Sequence, residues 1–523
     1  MGGEGGGGQE AHTSAGALAL VSSELYSQSN LSFKKGSSTV VLSRDFIAET
    51  ILYLNEEDCI EPAFLVYSLG ERYKGFHVER VVSIGNTKVK PTSPEKYPYT
   101  PYVFSWKEDL SEPDPRQLYE EVLDEFRRFV DIEDEIRVLM ASAVMLTYIQ
   151  EDFETVPYIY LLGDNESGKT HTLNLFAALC YRPLYGVSIP SADLYTFLGT
   201  GGHIPTIIED EIQGVERDTE KAKIWKTGYK RGAKVPRITI KPNGERVIEY
   251  YPSYCLKIAA GEKLIRLKGL SERFIIIPMV EGEPVKDEYE KEDYERFMEI
   301  RKKLLMWRMI HLIDSLPLPK LDLPWLKKRP KELYKPLLTV TQIHPTYFQT
   351  LKEFVKRSID EKVNERRSSF EGFLTKAIIE LIGRDETFEI PTEDVWVKLK
   401  MDLDGVDHPS KPYQMDTELF GTITKQKVGR RLKEVLGSRT ASKRIGGEVK
   451  RVHVFEPSKL LKAARRYYLV TDVTDVADSG QSLELQKGLE ILEKTLTEAS
   501  ETLMSSSKSV TSVTSVTDLE GKT

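Results

Sequence analysis

The chain has 523 residues and is 40% hydrophobic and 29% charged, a composition typical of globular proteins and long enough for about three domains. Its three cysteines form no CxxC pair, and no signal peptide or long apolar run is present, so we expect a soluble cytoplasmic protein without a disulfide framework, a zinc site or a membrane partner. The net charge of −8 is unevenly spread, because residues 424–466 hold fourteen Lys and Arg against three Asp and Glu, a surplus of +11 that leaves −19 elsewhere.

Changes in composition and periodicity predict six segments. They are a disordered Gly/Ser-rich leader (1–36), a β-rich N-terminal domain (37–110), an α/β core (111–320), a helical lid or linker (321–370), a winged helix-turn-helix domain (371–470) and a low-complexity tail with a short amphipathic helix (471–523).

The stretch "LLGDNESGKTHTLNLF" lies between an apolar run typical of a buried strand, "VPYIYLL", and a predicted helix. Its glycines and Lys169-Thr170 fit a P-loop, in which backbone N–H groups wrap the phosphates of ATP, the lysine reaches the β- and γ-phosphates and the threonine binds Mg²⁺. This context disfavours the alternative of a surface glycine turn. The predicted nucleotide-binding residues are Gly163, Asp164, Asn165, Glu166, Ser167, Gly168, Lys169, Thr170 and His171.

A second apolar strand is predicted in "IPTIIEDEIQG", and it ends in Asp210 and Glu211. Such a Walker B aspartate holds Mg²⁺ together with Thr170, while the glutamate polarises the water that attacks the γ-phosphate. The alternative is a surface acidic pair, which the preceding apolar residues disfavour. Glu209 is interpreted as a neighbour without a catalytic role.

Arg273 stands directly before another buried-type strand in "LSERFIIIPM". An arginine in this position can neutralise transition-state charge in the site of the next subunit of an oligomer. The alternative is an arginine that forms an ordinary ion pair at the end of a strand. The predicted catalytic residues are thus Lys169, Asp210, Glu211 and Arg273.

The segment "VPRITIKPNGERVIEYYPSY" (235–254) has two β-rich arms around a Pro-Asn-Gly turn, which predicts a hairpin. Lys241 and Arg246 flank its tip, where they can contact the backbone of a single DNA strand in a channel. The alternative is a solvated hairpin with ordinary surface charges.

The basic region follows the helix "FLTKAIIELI" and consists of a predicted helix, "TITKQKVGRRLKEVLG", and two strands around a Gly-Gly turn. This order is typical of a winged helix-turn-helix, and the positive surplus favours duplex DNA over a protein ligand. The predicted DNA-binding residues of this region are Lys425, Lys427, Arg430, Arg431, Lys443, Arg444, Lys450 and Arg451.

The tail contains leucines and one alanine with the 4-3-4-3-4 spacing of a coiled-coil seam. They are Leu485, Leu489, Leu492, Leu496, Ala499 and Leu503. The seam predicts either a contact with a partner protein or a second copy over 483–503, or a helix that folds back on the chain.

Residues from about 115 to 345 resemble the AAA+ ATPase domains of plasmid and phage replication proteins, a primase-associated family. Besides the P-loop and Walker B motifs, the resemblance is carried by "TGYKRGAKVPRI", "YCLKIAAGE", "LSERFIIIPM" and "RPKELYKPLL". The form "S-x-R-F" and the trailing winged helix are also similar to the minichromosome maintenance helicases, and superfamily 3 helicases are related to this group.

The resemblance implies an α/β fold class with a P-loop AAA+ core. The β-rich N-terminal domain and the C-terminal winged-helix domain lie outside the resemblance and are predicted from their own sequence patterns. The resemblance also implies a hexameric ring that uses ATP and Mg²⁺ and acts on DNA. "KIAAGE" lacks the Asn or Thr that positions the attacking water, so sensor 1 is not assigned, and Arg301 and Arg308 are candidates for sensor 2.

Three functions fit the sequence. The first is an ATP-dependent replicative helicase or translocase of a plasmid or virus, with a single strand in the channel and duplex at the winged helix. The second is an origin-binding initiator or helicase loader, which does not need a channel hairpin. The third, a protein-remodelling ATPase, is weakest, because the hairpin and the winged helix are two independent features that point to DNA.

Overall fold

A computed structural model describes residues 37–510, apart from 39, 44, 71–72, 94–97, 200–203, 213, 268, 315–317, 405–413, 418–419 and 468–481. The predicted leader lies outside the described residues. The chain divides into two compact units, Met1–Val355 and Lys356–Thr523. In the described part of the chain, no helix has both the length and the apolar character needed to cross a membrane.

The first unit combines strands and helices. Its strands are β1 (Ser37–Ser38), β2 (Val40–Leu42), β3 (Phe46–Leu54), β4 (Ile60–Gly70), β5 (Tyr73–Glu79), β6 (Val82–Ile84), β7 (Thr87–Pro91), β8 (Val103–Ser105), β9 (Tyr158–Leu162), β10 (Pro183–Val187), β11 (Thr206–Asp210), β12 (Lys234–Ile240), β13 (Arg246–Pro252), β14 (Lys257–Gly261) and β15 (Phe274–Pro278). Its helices are α1 (Pro115–Phe129), α2 (Asp134–Tyr148), α3 (Lys169–Leu179), α4 (Ser191–Gly199), α5 (Thr219–Thr227), α6 (Lys291–Asp314) and α7 (Lys328–Thr341); α8 (Pro345–Arg367) runs into the second unit.

The amino-terminal strands form two small sheets. One has the order β2–β3–β4–β5, with β8 parallel to the far end of β3, and the other has the order β1–β7–β6. Apolar side chains of β4, among them Phe64 and Val66, pack against Val82 and Val89 of the smaller sheet. Both sheets therefore share one hydrophobic core.

A parallel sheet with the order β10–β11–β14–β9–β15 forms the centre of the first unit. The three central strands β9, β11 and β14 are buried almost throughout, as parallel strands covered on both faces must be, whereas the edge strands β10 and β15 are partly exposed. The predicted α/β fold class with a parallel sheet is confirmed. Because all five strands run the same way, their carboxyl ends meet at one edge, where the loops after β9 and β11 lie on either side of the end of β14.

A cluster of buried charges joins the amino-terminal strands to this central part. Glu49 of β3 is fully buried and contacts the guanidinium groups of Arg182 (2.5 Å) and Arg308 (3.1 Å), while Tyr181 donates a hydrogen bond to the same carboxylate (2.9 Å). Arg308 also pairs with buried Glu151 at 2.6 Å. The two carboxylates offset the two guanidinium groups, which makes the burial of all four tolerable.

Replacing Glu49 by Gln is expected to lower the free energy of unfolding of the first unit by about 3–5 kcal/mol, because two buried arginines lose a carboxylate partner. Urea unfolding at neutral pH measures the change. Glu56→Gln removes the same charge from an exposed position of the loop after β3 and is expected to change stability by less than about 0.5 kcal/mol. Equal stability of the two variants would contradict the role given to the cluster.

The second unit has the order helix, strand, helix, hairpin, helix and two strands, followed by two helices. The elements are α9 (Phe370–Asp385), β16 (Glu389–Pro391), α10 (Thr392–Asp404), β17 (Gln414–Thr417), β18 (Gly421–Thr424), α11 (Lys425–Leu436), β19 (Arg439–Ile445), β20 (Glu448–Val454), α12 (Pro457–Tyr467) and α13 (Leu483–Val510). Strands β16, β20 and β19 form one sheet, and the Gly446-Gly447 turn, with positive φ at both residues, joins β19 to β20.

The tail helix α13 packs on α9 within the second unit. Leu485, Leu489 and Leu492 of the predicted seam are buried in the core of this unit. Two glycines without a Cβ allow the two helices to approach closely. A Cβ at Gly383 would lie 2.0 Å from a backbone oxygen of α13, and a Cβ at Gly488 would lie 2.1 Å from one of α9. The fold-back alternative is thus the one observed for this part of the seam, which leaves no room there for a partner helix.

A buried histidine makes the second unit sensitive to acid. His453 of β20 is 1% exposed, and its Nδ1 lies 2.9 Å from the Ser438 hydroxyl. Burial, and then the charges of Arg451 and Lys433, lower the pKa of His453 to about 4.

Acidification from about pH 6.5 to 4 is expected to destabilise the second unit by about 3 kcal/mol through His453, because the unfolded chain binds the proton first. The stability that His453 contributes is fully present above the pKa of His453 in the unfolded chain, 6.5, and is lost as the pH falls through its pKa in the folded chain, about 4. Hydrogen exchange of α9 and α11, corrected for its intrinsic pH dependence, measures the loss. His453→Gln should flatten the profile over this range; an unchanged profile would contradict the assignment.

Candidate nucleotide site and DNA-facing surfaces

The loop after β9 has the backbone that phosphate binding requires. Gly168 adopts φ 78° at the start of α3, and a Cβ there would meet nothing within 4 Å, so the space above the loop is open. A Cβ at Gly163 would lie 2.3 Å from the carbonyl oxygen of Met279. Glu166 also has a positive φ of 65°. The loop therefore combines a glycine fixed by packing, a glycine beside open space and one strained residue.

Lys169 and Thr170 occupy the first turn of α3 beside this space. The Lys169 ammonium donates to the Asp164 carbonyl and to the Ser167 hydroxyl at 3.2 Å, so it is folded over the loop. The Thr170 hydroxyl donates to the carboxylate of Asp210 at 2.7 Å. The structure thus brings together the predicted P-loop and Walker B residues, which are separated in the sequence by two helices and a strand.

Asp210, the last residue of β11, and the next residue, Glu211, differ in burial and in backbone conformation. Asp210 is 6% exposed and accepts the backbone N–H of Glu211 at 3.0 Å. Glu211 is exposed and has a φ of 55°, a conformation that costs about 1–3 kcal/mol in a residue other than glycine and clusters at active sites. An oxygen-rich pair, Thr170 and Asp210, next to an exposed strained carboxylate fits the hard cation Mg²⁺ and a polarised water.

Glu209 is buried, in contrast to its exposed neighbour Glu211. Its side chain lies on the face of β11 opposite to that of Asp210, and its carboxylate pairs with Lys221 of α5. Burial, opposed by Lys221, raises the pKa of Glu209 to about 7. The ion pair links β11 to α5, the helix that precedes the β12–β13 hairpin.

Arg273 lies far from the P-loop of its own chain. It precedes Phe274, which pairs with Tyr158 at the start of β9, whereas the P-loop follows the end of that strand, about 15 Å away along the sheet. The guanidinium lies over the ring of Tyr229 at 4.4 Å, and Arg329 lies over the same ring at 5.3 Å. Among the described residues no carboxylate pairs with Arg273, and its guanidinium contacts the Tyr229 ring in place of the ion pair that the alternative expects.

The candidates for sensor 2 are wrong. Arg308 is bound by Glu49 and Glu151, and Arg301 donates to the Thr100 carbonyl at 2.8 Å and lies over Tyr102. Both arginines are buried in contacts with the amino-terminal strands and the residues beside them. Their spacing in α6 gave no indication of this, because the partners are distant in sequence.

The imidazole of His171 belongs to an aromatic cluster. It stacks on Tyr289 with ring centroids 4.4 Å apart and planes 8° apart, and Phe129 lies at 5.9 Å. The Tyr289 hydroxyl donates to the His171 carbonyl at 2.9 Å. Burial lowers the pKa of His171, which favours the neutral ring. A role in nucleotide binding stays a prediction for this residue.

The predicted hairpin is present as the β12–β13 ribbon, in which Ile240 pairs with Arg246. Gly244 has a φ of 81° in its turn, and the Asn243 side chain accepts the Glu245 N–H at 3.1 Å, as a Pro-Asn-Gly turn favours. Lys241 and Arg246 are exposed beside the tip.

The two faces of the ribbon differ. On one face, Tyr251 packs edge-on against Tyr195 of α4, and Arg237 lies over the same Tyr195 ring at 4.9 Å. The other face is apolar and open: Ile238, Ile240, Ile248 and Tyr250 are 57–64% exposed. The ribbon is thus fixed at its base and projects an apolar face that the sequence interpretation missed, although its alternation was the available signal.

The predicted DNA-binding residues of the second unit lie on α11 and on the β19–β20 pair. Side chains on one side of α11, including Val428 and Leu432, are buried, and Ile423 of β18 is buried with them. The residues Thr422 and Ile423 lie in a strand, so the predicted helix begins later, after the Thr424 cap. The basic side chains lie on the remaining surface.

No family model matches the chain, and no curated protein matches it. Among solved structures, the apo C-terminal region of NrS-1 is 11% identical, with a TM-score of 0.31 over 78% of this chain and 96% of that one. The active helicase Cch of SCCmec type IV is 10% identical, with a TM-score of 0.29 over 81% of this chain and 99% of that one. The JCV helicase is 15% identical, with a TM-score of 0.23 over 47% and 62%.

These likenesses are too low to decide an activity. The function is therefore inferred from the geometry of the site.

Proposed function

We propose that the chain is an ATP-dependent DNA helicase or translocase of a mobile genetic element, which works as an oligomeric ring of AAA+ type. The observation that carries the proposal is the 2.7 Å contact between Thr170 and Asp210, with Lys169 and strained Glu211 beside it. This set matches the parts that phosphoryl transfer to water needs.

The chain's own residues divide the chemistry among them. Backbone N–H groups around Gly168 and the Lys169 ammonium hold the phosphates, and Lys169 exchanges its loop contacts for phosphate oxygens. Glu211 accepts a proton from the attacking water, since it is an exposed carboxylate directly after Asp210 at the end of β11. Thr170 and Asp210 would hold Mg²⁺, which would supply positive charge for ATP hydrolysis.

The position of Arg273 supports the proposal that the chain acts as an oligomer. A residue at the opposite edge of the sheet serves the site of a second copy rather than its own, and Tyr229 holds its guanidinium in place. The sheet order supports the AAA+ interpretation, since β14 separates the P-loop strand from the Walker B strand. The number of six subunits in the ring rests on the resemblance alone.

DNA binding is proposed at two places. The tip of the β12–β13 ribbon, with Lys241 and Arg246, contacts a single strand, and the second unit, as a winged helix, binds duplex. The order of α9, β16, α10, α11, β19 and β20 supports the winged-helix interpretation, with α11 as the helix that enters a groove.

Strand displacement on a forked duplex with ATP tests the proposal. The wild type is expected to unwind, Lys169→Ala to be inactive, and Lys241→Ala with Arg246→Ala to retain ATP hydrolysis but lose unwinding. Asn243→Ala, at the same tip without a charge change, is the matched control. ATP hydrolysis and DNA binding without unwinding in the wild type would favour an initiator or loader, and hydrolysis indifferent to DNA would favour a remodelling ATPase.

A further inference from the structure

The basic side chains of the second unit fall into two groups. One group is held by carboxylates, in the pairs Lys425–Glu393, Lys443–Glu389, Arg431–Glu371 and Arg431–Glu434. The other is exposed and makes no ion pair among the described residues; it includes Arg430, Lys433, Lys450 and Arg451, together with Arg439 and with Arg444, whose Nε donates to the Gly447 carbonyl at 3.2 Å. Only the second group offers uncompensated charge to phosphates or bases, although the sequence presents both groups alike.

Three polar side chains form an exposed row on α11. Gln426, Arg430 and Lys433 are at positions i, i+4 and i+7, on the side away from the core, and all three are exposed. The row begins in the first turn, directly after the cap in which the Thr424 hydroxyl accepts the Lys427 N–H at 3.2 Å. The first turns of a groove-binding helix are the ones that reach base edges.

Gly429 lies in α11 beside this exposed row, at a position where packing does not call for a glycine. A glycine inside a helix lowers stability relative to alanine. A Cβ at this position would meet only the His453 Nε2, at 4.0 Å, so packing within the described residues does not require a glycine. Its φ is not positive either. The missing Cβ therefore leaves room at the flank of α11, between the exposed row and buried His453.

We propose that this surface reads sequence in double-stranded DNA, with Gln426 and Arg430 contacting base pairs about two steps apart in the major groove. A glutamine side chain matches N6 and N7 of adenine, and arginine matches O6 and N7 of guanine. Four residues of helix rise about 6 Å, close to two base-pair steps of about 3.4 Å each. Gly429 lets the helix backbone approach the groove, and Lys450 and Arg451 of β20 hold phosphates.

This inference rests on the proposed DNA-binding function and deepens it, because duplex binding by charge alone needs neither Gln426 nor a glycine at 429. The ion-paired cations, Lys425, Arg431 and Lys443, shape the surface and do not contact bases.

Selection of the full-length protein on a random duplex library, followed by binding at fixed salt, tests the reading surface. We expect an enriched site with an adenine and a guanine within three base pairs. Arg430→Ala should lose about tenfold or more of the preference for that guanine, and Gln426→Ala the preference for the adenine. Enrichment of no sequence would overturn the proposal.

Neighbouring residues provide matched controls with the same change of charge. Arg431→Ala removes a guanidinium one position away, and we expect less than about a threefold loss of affinity, since its charge is already compensated. Lys450→Ala should weaken binding to all duplexes, whereas Lys443→Ala, directly opposite in the β19–β20 pair, should not. Equal losses for Arg430→Ala and Arg431→Ala would contradict the division into two groups.

Gly429→Ala separates the recognition role from a structural one. It should raise the Tm of the second unit by about 2–4 °C while lowering affinity for the selected site tenfold or more. Unchanged affinity in a stabilised variant would show that the space at Gly429 is not occupied by DNA.

Failure of this inference and failure of the proposed function give different results. Duplex binding without sequence preference, in a protein that still unwinds DNA, would overturn the reading surface alone. A wild-type protein that neither binds DNA nor changes its rate of ATP hydrolysis when DNA is added would overturn both.

Discussion

Replacing Lys169 by alanine is expected to lower ATP hydrolysis by about 10²- to 10³-fold or more, because the charge that meets the γ-phosphate is removed from a preorganised site. The fold should persist, since the Lys169 ammonium contacts only the Asp164 carbonyl and the Ser167 hydroxyl of its own loop. Steady-state phosphate release, with the Tm of both proteins, measures the two effects separately.

A control for this change is Lys263→Ala, which removes an exposed lysine from the loop after β14. We expect hydrolysis within a factor of two of the wild type, as for most exposed substitutions. Hydrolysis by the Lys169 variant at the wild-type rate would disprove the P-loop assignment, and with it the use of ATP at this edge of the sheet.

Arg273→Ala is expected to lower the rate of hydrolysis by about 10³-fold while ATP still binds, because an arginine supplied by a neighbouring subunit acts mainly on the transition state. The measurement is kcat beside the Kd of a fluorescent ATP analogue. Arg329→Ala, which removes the second guanidinium over Tyr229, is the matched control and should retain most of the activity.

Mixing two inactive variants tests whether Arg273 acts between copies. Lys169→Ala retains Arg273, and Arg273→Ala retains Lys169, so a mixed oligomer contains interfaces with both groups intact. Activity should return on mixing, to a fraction set by the number of such interfaces. A mixture as inactive as its parents would place Arg273 outside the site of the neighbouring copy.

Local patterns made much of the first unit predictable. The strand before Gly163, the apolar run before Asp210 and the Pro-Asn-Gly turn of the ribbon are each defined by a few consecutive residues, and each is found in the structure. The approach of Thr170 to Asp210 was predictable as well, because the strands of a parallel sheet bring their carboxyl ends to one edge, even though β14 lies between β9 and β11.

Contacts between distant residues were not predictable in this way. Tyr229 as a support for Arg273, and Glu49 as the partner of Arg308, depend on how separate elements pack, which no spacing in the sequence encodes. Arg430 and Arg431 have the same chemistry and adjacent positions; only the fold reveals that acids surround one of them. The seam of α13 likewise had two interpretations until its position on α9 was known.

The open apolar face of the β12–β13 ribbon has a consequence for the protein in solution. Ile238, Ile240 and Ile248 form a short β-rich surface, and neither arm of the two-stranded sheet has a second strand beside it among the described residues. Such surfaces favour edge-to-edge aggregation unless charges interrupt them. Lys241 and Arg246 thus also act as gatekeepers of solubility, and a chain that lacks both should precipitate at lower concentration than the wild type.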